Sequence, residues 1–122
     1  MGHIWVKVRV INPLTGAEVD REALVDTGST FTVIPQGLYE KLGLRVVGFK
    51  DVETAKGSTR LDESFAVVEI QGKRGLTPIL VSKDLKDMLI GVLTLEALGL
   101  KVDPTTGELK EARILLLYTL PT

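Results

Sequence analysis

Asp26-Thr27-Gly28, preceded by Ala23-Leu24-Val25 and followed by Ser29-Thr30, is the segment of this chain best suited to chemistry. An apolar run closes on a carboxylate, and a glycine two residues later lets the backbone turn sharply and approach a neighbour closely. A carboxylate at a strand end is costly to desolvate. Desolvation or a second carboxylate raises the pKa of such a group, which serves acid-base catalysis and has no use in a core. Asp, Thr and Gly are also ordinary turn formers, so the bare tripeptide reads first as a plain strand-ending turn.

A second element, Leu89-Ile90-Gly91, is followed by Leu93, Leu95, Ala97 and Leu98 at helical spacing. With these two elements in this order, the sequence resembles the retropepsin-like aspartic proteases. In that family the strand carrying Asp-Thr-Gly passes beside a later strand that ends in two apolar residues and a glycine, and a short helix follows. Leu24-Val25-Asp26-Thr27-Gly28-Ser29 matches the first element and Leu89-Ile90-Gly91 the second, and the resemblance spans roughly Val19 to Val102.

An internal echo is independent of any family. Glu40-Lys41-Leu42-Gly43-Leu44-Arg45-Val46 aligns with Glu96-Ala97-Leu98-Gly99-Leu100-Lys101-Val102, with five identities and one Arg-for-Lys exchange in seven positions. Each copy predicts a short amphipathic helix that ends at a C-cap glycine and returns into an apolar strand. One copy follows Asp26-Thr27-Gly28, the other Leu89-Ile90-Gly91. Chance recurrence of a helix-Gly-Leu exit is the alternative to duplicated halves, which the resembled family has.

The elements that must position these residues are mostly β. Ile4, Val6, Val8 and Val10 alternate with Trp5, Lys7 and Arg9, the period of a strand with one buried face. Asn12-Pro13-Leu14-Thr15-Gly16 predicts a turn leading back through Val19 to Val25. Thr32-Val33-Ile34 is strand-like, and Pro35 opens a helix with Leu38 and Leu42 on one face. Lys50 to Glu69 predicts a projecting hairpin with its tip at Ala55-Lys56-Gly57-Ser58, because its arms are too charged to be buried on both faces. Gln71-Gly72-Lys73-Arg74-Gly75 predicts a turn before a strand from Leu76 to Val81. Asp103-Pro104-Thr105-Thr106-Gly107 predicts a last hairpin turn, and Ile114-Leu115-Leu116-Leu117-Tyr118 a final strand. The fold class expected is mainly β, a closed retropepsin-like barrel or sandwich with one or two short helices, forming one domain over residues 1–122.

Composition excludes several chemistries. The chain has 122 residues, 44% hydrophobic and 25% charged, the balance of a small globular domain. A formal charge of −1 gives no electrostatic case for nucleic acid or an anionic membrane as partner. There is no cysteine, which removes disulfides, thiolate catalysis and cysteine-metal sites and leans toward a cytoplasmic setting. The only histidine is His3, so a Ser-His-Asp triad or a multi-histidine zinc site has no source, and no metal or other cofactor is expected. Met1 to Val10 interleaves Lys7 and Arg9 with apolar residues, unlike a signal peptide. The Ile114–Tyr118 run is too short to span a bilayer.

Aspartic-protease chemistry needs two facing carboxylates, and this chain has one Asp-Thr-Gly. The resemblance therefore implies a homodimer with the site on its two-fold axis, acting on extended or unfolded polypeptide. It implies Asp26 as the shared acid and base, Thr27 bonding across the axis, Gly28 allowing close approach to the substrate backbone, Gly91 supporting the site, and Ser29 donating to the outer carboxylate oxygen, with a plain turn residue as the alternative for Ser29. Ala55, Lys56 and Gly57 would offer backbone groups from a flap closing over the substrate, while Leu24, Leu89 and Ile90 would line the core beneath. Many viral members carry acids where this chain has Thr30 and Phe31, and a basic residue where it has Val92. The salt bridge bracing those dimers cannot form here. The flap also lacks the tyrosine of pepsin-like enzymes and the several glycines of the viral ones. A peptide-binding or dimerisation module with weak or no turnover is the alternative reading.

Overall fold

A computed structural model describes residues 4–114; His3 and most of the expected final strand lie outside the described residues. Nine strands and two helices follow one another there: β1 (Ile4–Ile11), β2 (Glu18–Val25), β3 (Thr32–Pro35), α1 (Gln36–Leu42), β4 (Gly48–Thr54), β5 (Gly57–Ile70), β6 (Lys73–Ser82), β7 (Met88–Ile90), α2 (Val92–Leu98), β8 (Leu100–Val102) and β9 (Leu109–Glu111).

The main sheet runs β1-β2-β7-β3-β6-β5-β4, and β1 also pairs with β5 through Arg9↔Glu69, Val10↔Val68 and Ile11↔Val67. That second pairing joins the two ends of a six-stranded run into a closed barrel, leaving β4 outside as an arm of the β4–β5 hairpin. Period-two alternation fills the barrel. Val8, Val10, Ala23, Val25, Ala66, Val68, Ile79 and Ile90 point inward and are buried, while Lys7, Arg9, Asp20 and Glu22 point outward. Closure removes the sheet edges that β1 and β5 would otherwise expose.

Both helices end at a glycine as the internal echo predicts, but only Gly99 leads straight into a strand, β8; residues 44–47 after Gly43 are irregular. Gly43 (φ 66°) and Gly99 (φ 69°) take the left-handed conformation, which lets their amides cap carbonyls of the last helical turn. Leu38 and Leu42 of α1, and Leu95 and Leu98 of α2, join the core. Pro35 stands at the N-cap of α1 and also closes β3.

Two elements differ from expectation. The turn after β5 is confined to Gln71-Gly72, and pairing resumes at Ile70↔Lys73, so Lys73, Arg74 and Gly75 belong to β6. A two-residue turn with Gln71 at φ 53° matches the twist of the flanking strands, so three further residues are not needed to reverse the chain. The tip of the β4–β5 hairpin is likewise only Ala55-Lys56, closed by Thr54↔Gly57.

The turns at Asn12 and Asp103 are built bond for bond alike. Asn12 N–H donates to Ala17 C=O (2.8 Å) and Gly16 N–H to Asn12 C=O (2.9 Å); Asp103 N–H donates to Glu108 C=O (2.8 Å) and Gly107 N–H to Asp103 C=O (2.7 Å). In each, the side-chain oxygen of the first residue accepts the amide two residues on, at 2.8 Å for Asn12 and 2.9 Å for Asp103. Asp103 additionally meets Lys110 Nζ at 2.8 Å.

Hydrogen bonding to Lys110, then to the Thr105 amide, holds the Asp103 carboxyl down from 3.8 to about 2. A depressed folded-state pKa contributes stability above the unfolded value, and the contribution is lost as pH falls through the folded one. Asp103→Asn keeps the turn acceptor, as Asn12 shows, and loses the ion pair. We therefore expect the variant to unfold at lower urea than the parent at pH 7, with the difference closing between pH 3.8 and about 2. A urea-midpoint difference that is constant from pH 7 to pH 2 would contradict this.

Candidate active site

Asp26 follows directly on β2 and is held by the neighbouring strand. β2 and β7 run parallel, with Ala23↔Met88, Leu24↔Leu89 and Val25↔Ile90 in register, and the Asp26 amide continues the ladder by donating to Ile90 C=O at 2.9 Å. The side chain is half-buried. Its Oδ1 accepts the Gly28 N–H at 3.0 Å, and the Ser29 N–H donates to the Asp26 carbonyl at 3.1 Å. A Cβ at position 28 would stand 3.3 Å from that carboxylate oxygen. Glycine there leaves the acid its place.

The loop after Asp26 is seated on the β7–α2 junction. The first turn of any helix has amides without helical partners. Gly91, at the N-cap of α2, has no side chain to supply one. The Val92 and Leu93 amides instead donate to the Ser29 and Thr30 carbonyls, at 2.8 and 3.0 Å. This contact is so close that a Cβ on Gly91 would overlap the Phe31 carbonyl and lie 2.8 Å from the Thr30 oxygen. Gly91 is required by packing.

Asp26, Thr27, Gly28, Ser29 and Gly91 are thus brought together, with Thr27 and Gly28 exposed beside the half-buried acid. Ser29 behaves differently from expectation. Its hydroxyl donates to the Phe31 carbonyl at 2.9 Å rather than to the carboxylate, so it braces the loop. Ile90 is buried beneath, as expected, whereas Leu24 and Leu89 are only half-buried. Val25 faces inward, so Leu24 must face outward, where it adjoins Leu89 and the 51%-exposed Trp5.

Ala55, Lys56 and Gly57 lie at the exposed end of the β4–β5 hairpin. Thr54 shapes that end: its Oγ1 accepts the Lys56 amide at 3.1 Å and donates to the Gly57 carbonyl at 2.8 Å. Cross-strand pairs stiffen the arms, with Arg60 against Asp51 at 3.0 Å and 4.0 Å from the Phe49 ring centroid. On the opposite face Lys50 meets Glu63 at 2.8 Å, and Val52 and Leu61 are half-buried.

Three residues beside the site carry no sequence signature. Thr32, Thr77 and Thr94 are fully buried, come from β3, β6 and α2, and join their hydroxyls behind Gly91. A surface hollow of about 510 Å³ is elsewhere: it lies among Lys7, Arg9, Asp20 and Glu22 on the outer face of β1 and β2, where alternating charges form a solvated surface. Among the described residues no group of three or more His, Cys, Asp or Glu could hold a metal, and no helix is long and apolar enough to cross a membrane.

A closed β barrel with an acidic strand-end loop seated on a later strand-glycine-helix junction is the retropepsin-like architecture, and solved structures agree. The EIAV protease complexed with the inhibitor HBY-793 superposes with a TM-score of 0.68 at 17% identity, over 94% of each chain. The simian foamy virus (mac) protease gives 0.55 at 18% identity, over 75% of this chain and 91% of that one. A foamy viral protease-reverse transcriptase in complex with an RNA/DNA hybrid gives 0.58 at 15% identity, over 76% of this chain and 11% of its own. No curated protein sequence matches this chain. The sequence model described as "gag-polyprotein putative aspartyl protease" matches residues 14–97, well over half of the chain, and the chain belongs to that family.

The close approach at Gly91 gives a stability test. Gly91→Ala should cost at least about 1–3 kcal/mol, because backbone carbonyls of Thr30 and Phe31 must move to admit the methyl. Gly37, inside α1 with open space around it, is the control. Gly37→Ala should be neutral or stabilising by up to about 1 kcal/mol. Urea unfolding of both variants checks the pair, and equal midpoints would contradict the packing argument.

Proposed function

We propose that residues 1–122 form one protease domain and that two copies assemble into an aspartic endopeptidase acting on extended or unfolded polypeptide. The observation that carries this reading is the placement of a single half-exposed Asp26 carboxylate, fixed through its own amide and the Gly28 amide, in a chain of the aspartyl protease family. One such acid per chain is half of the required pair. Two copies facing across an axis would set two Asp26 carboxylates about 3 Å apart, where they cannot both ionise and so share one proton. The unprotonated member takes a proton from a water held between them, and the water oxygen attacks the peptide carbonyl carbon. The protonated member donates to the carbonyl oxygen, giving a neutral diol, and proton transfer to the amide nitrogen lets the C–N bond break.

Other features fit the same assembly. Thr27 and Gly28 are exposed next to Asp26, where a second copy would meet them, and Trp5, Leu24, Leu89 and Val33 form an outward apolar row on the same side of β1, β2, β7 and β3. β4 is the last strand of the sheet, so the hairpin has an open backbone edge that an extended peptide could join by strand addition. In this reading Ala55, Lys56 and Gly57 close over the substrate, with Val52 and Leu61 on the covered face.

Sedimentation at micromolar concentration should give a dimer, with specific activity on an unfolded protein falling on dilution as subunits separate. Asp26→Asn should retain the fold and lose essentially all hydrolysis. Turnover within about tenfold of the parent, equivalent to less than about 1.4 kcal/mol of transition-state stabilisation, would remove Asp26 from the mechanism. A protein that folds and dimerises but never cuts, in the presence or absence of denatured substrate at acid pH, would favour the peptide-binding module instead.

The rate should follow a bell on the acid side of neutrality, with limbs that belong to the carboxylate pair. Deleting Lys56-Gly57-Ser58 should leave the dimer intact and weaken KM and kcat together, as expected for a closing lid. A rate rising monotonically into alkaline pH, or a deletion with parental kinetics, would contradict the shared-proton mechanism or the lid respectively.

A further inference from the structure

The Ile90–Gly91 peptide unit is held from both of its polar ends. Its carbonyl accepts the Asp26 amide at 2.9 Å. Its N–H, on Gly91, donates to Thr32 Oγ1 at 3.0 Å. Behind Thr32 the chain of hydroxyls continues: Thr32 Oγ1 lies 2.6 Å from Thr94 Oγ1, and Thr94 Oγ1 donates to Thr77 Oγ1 at 3.2 Å. A threonine hydroxyl has one proton. That of Thr94 goes to Thr77, so the proton in the 2.6 Å bond is the one on Thr32. Every donation then runs the same way, from the Asp26 amide through the peptide unit and three hydroxyls to the barrel wall at β6.

From this geometry we infer that Thr32, Thr94 and Thr77 are positioning residues for Asp26, acting as a relay that fixes the rotation of the Ile90–Gly91 peptide. A peptide unit is planar and rigid, so any tilt that frees the Gly91 N–H also swings the Ile90 carbonyl that holds Asp26. By donating its own proton to Thr94, Thr32 becomes a stronger acceptor for Gly91, so that loss of the second hydroxyl weakens the first bond. All three side chains are 0% exposed, and water cannot take the place of a missing partner without opening the core. The relay also joins three elements distant in sequence, β3, α2 and β6, at the point where the Asp26 loop ends. Valine in these positions would fill the space with apolar atoms, and the hydroxyls would be unnecessary if packing were their only duty.

The inference rests on the proposed peptidase for its kinetic consequence and is independent of it for its structural one, so two readouts are needed on the full-length protein. The first is amide hydrogen exchange. Thr94→Val should raise exchange at Gly91 and Asp26 at least tenfold relative to the β1–β2 hairpin amides, and Thr94→Ser should match the parent. The second is kinetics. Thr94→Val should lower kcat at least tenfold with KM changed less than about threefold, and Thr94→Ser should recover kcat to within about threefold. If Thr94→Val does not fold, Thr77→Val, which cuts the relay at its longer bond, is read in the same two ways with smaller expected changes. Parental exchange at Gly91 and Asp26 in the valine variant overturns the relay. So does serine failing as valine does, which would assign the effect to the methyl group. Raised exchange with parental kcat would overturn the positioning role. A parent protein that cuts nothing would overturn the proposed peptidase, and the exchange readout would still decide the relay.

Discussion

The crossing of the Asp26 loop over the β7–α2 junction is the contact on which the rest of this structure depends. Six backbone groups meet there in three hydrogen bonds: the Asp26 amide on the Ile90 carbonyl, and the α2 amides of Val92 and Leu93 on the Ser29 and Thr30 carbonyls. The arrangement solves two problems at once. α2 lacks a capping side chain because its N-cap must be glycine, and the loop carries carbonyls that would otherwise be left facing protein. Each satisfies the other, and a carboxylate is thereby fixed at the rim of a closed barrel.

The barrel makes that crossing possible. β7 is only three residues long, yet it lies between β2, which carries Asp26 at its end, and β3, which receives the chain after the loop. Both neighbours therefore pass the same short strand, and the loop between them has to bridge it. Closure through β1 and β5 keeps this region from splaying, and the helix-glycine exits at Gly43 and Gly99 return the chain to the core on either side. The projecting β4–β5 hairpin, with the Arg60–Asp51 pair on one face and Lys50–Glu63 beside half-buried Val52 and Leu61 on the other, is the part of the sheet that remains free to be used.

Much of this was legible in the residues. The Asp26-Thr27-Gly28 segment, Leu89-Ile90-Gly91 and the two glycine-capped helices are local signals, in which each residue type has one physical reason to stand where it does. Alternation located β1, the Asn12 turn led back into β2, and the Asn12 and Asp103 turns were readable from turn chemistry. Long-range pairing was not. Nothing local in Val10 or Val68 shows that β1 meets β5, and the extent of β6 back to Lys73 depends on a turn whose second residue alone is glycine. The expected core positions of Leu24 and Leu89 failed for a simple reason, since neighbours in a strand face opposite ways and Val25 and Ile90 already took the interior. The hydroxyls of Thr32, Thr77 and Thr94 were invisible because only the folded barrel brings them together. Ser29 pointed to another partner because its hydroxyl is already taken by the Phe31 carbonyl on its own loop.

In the proposed dimer two subunits complete the site, and subunit mixing tests this most directly. Asp26→Asn protein is added in increasing excess to a fixed concentration of parent chain, with time allowed for exchange of subunits, and hydrolysis of an unfolded substrate is followed. Mixed dimers carry one carboxylate, so activity should fall toward zero as the variant captures parent chains, in proportion to the parent's fraction of all chains. Activity that stays constant while the variant is added would mean that each chain works alone, and the shared-carboxylate site would be contradicted.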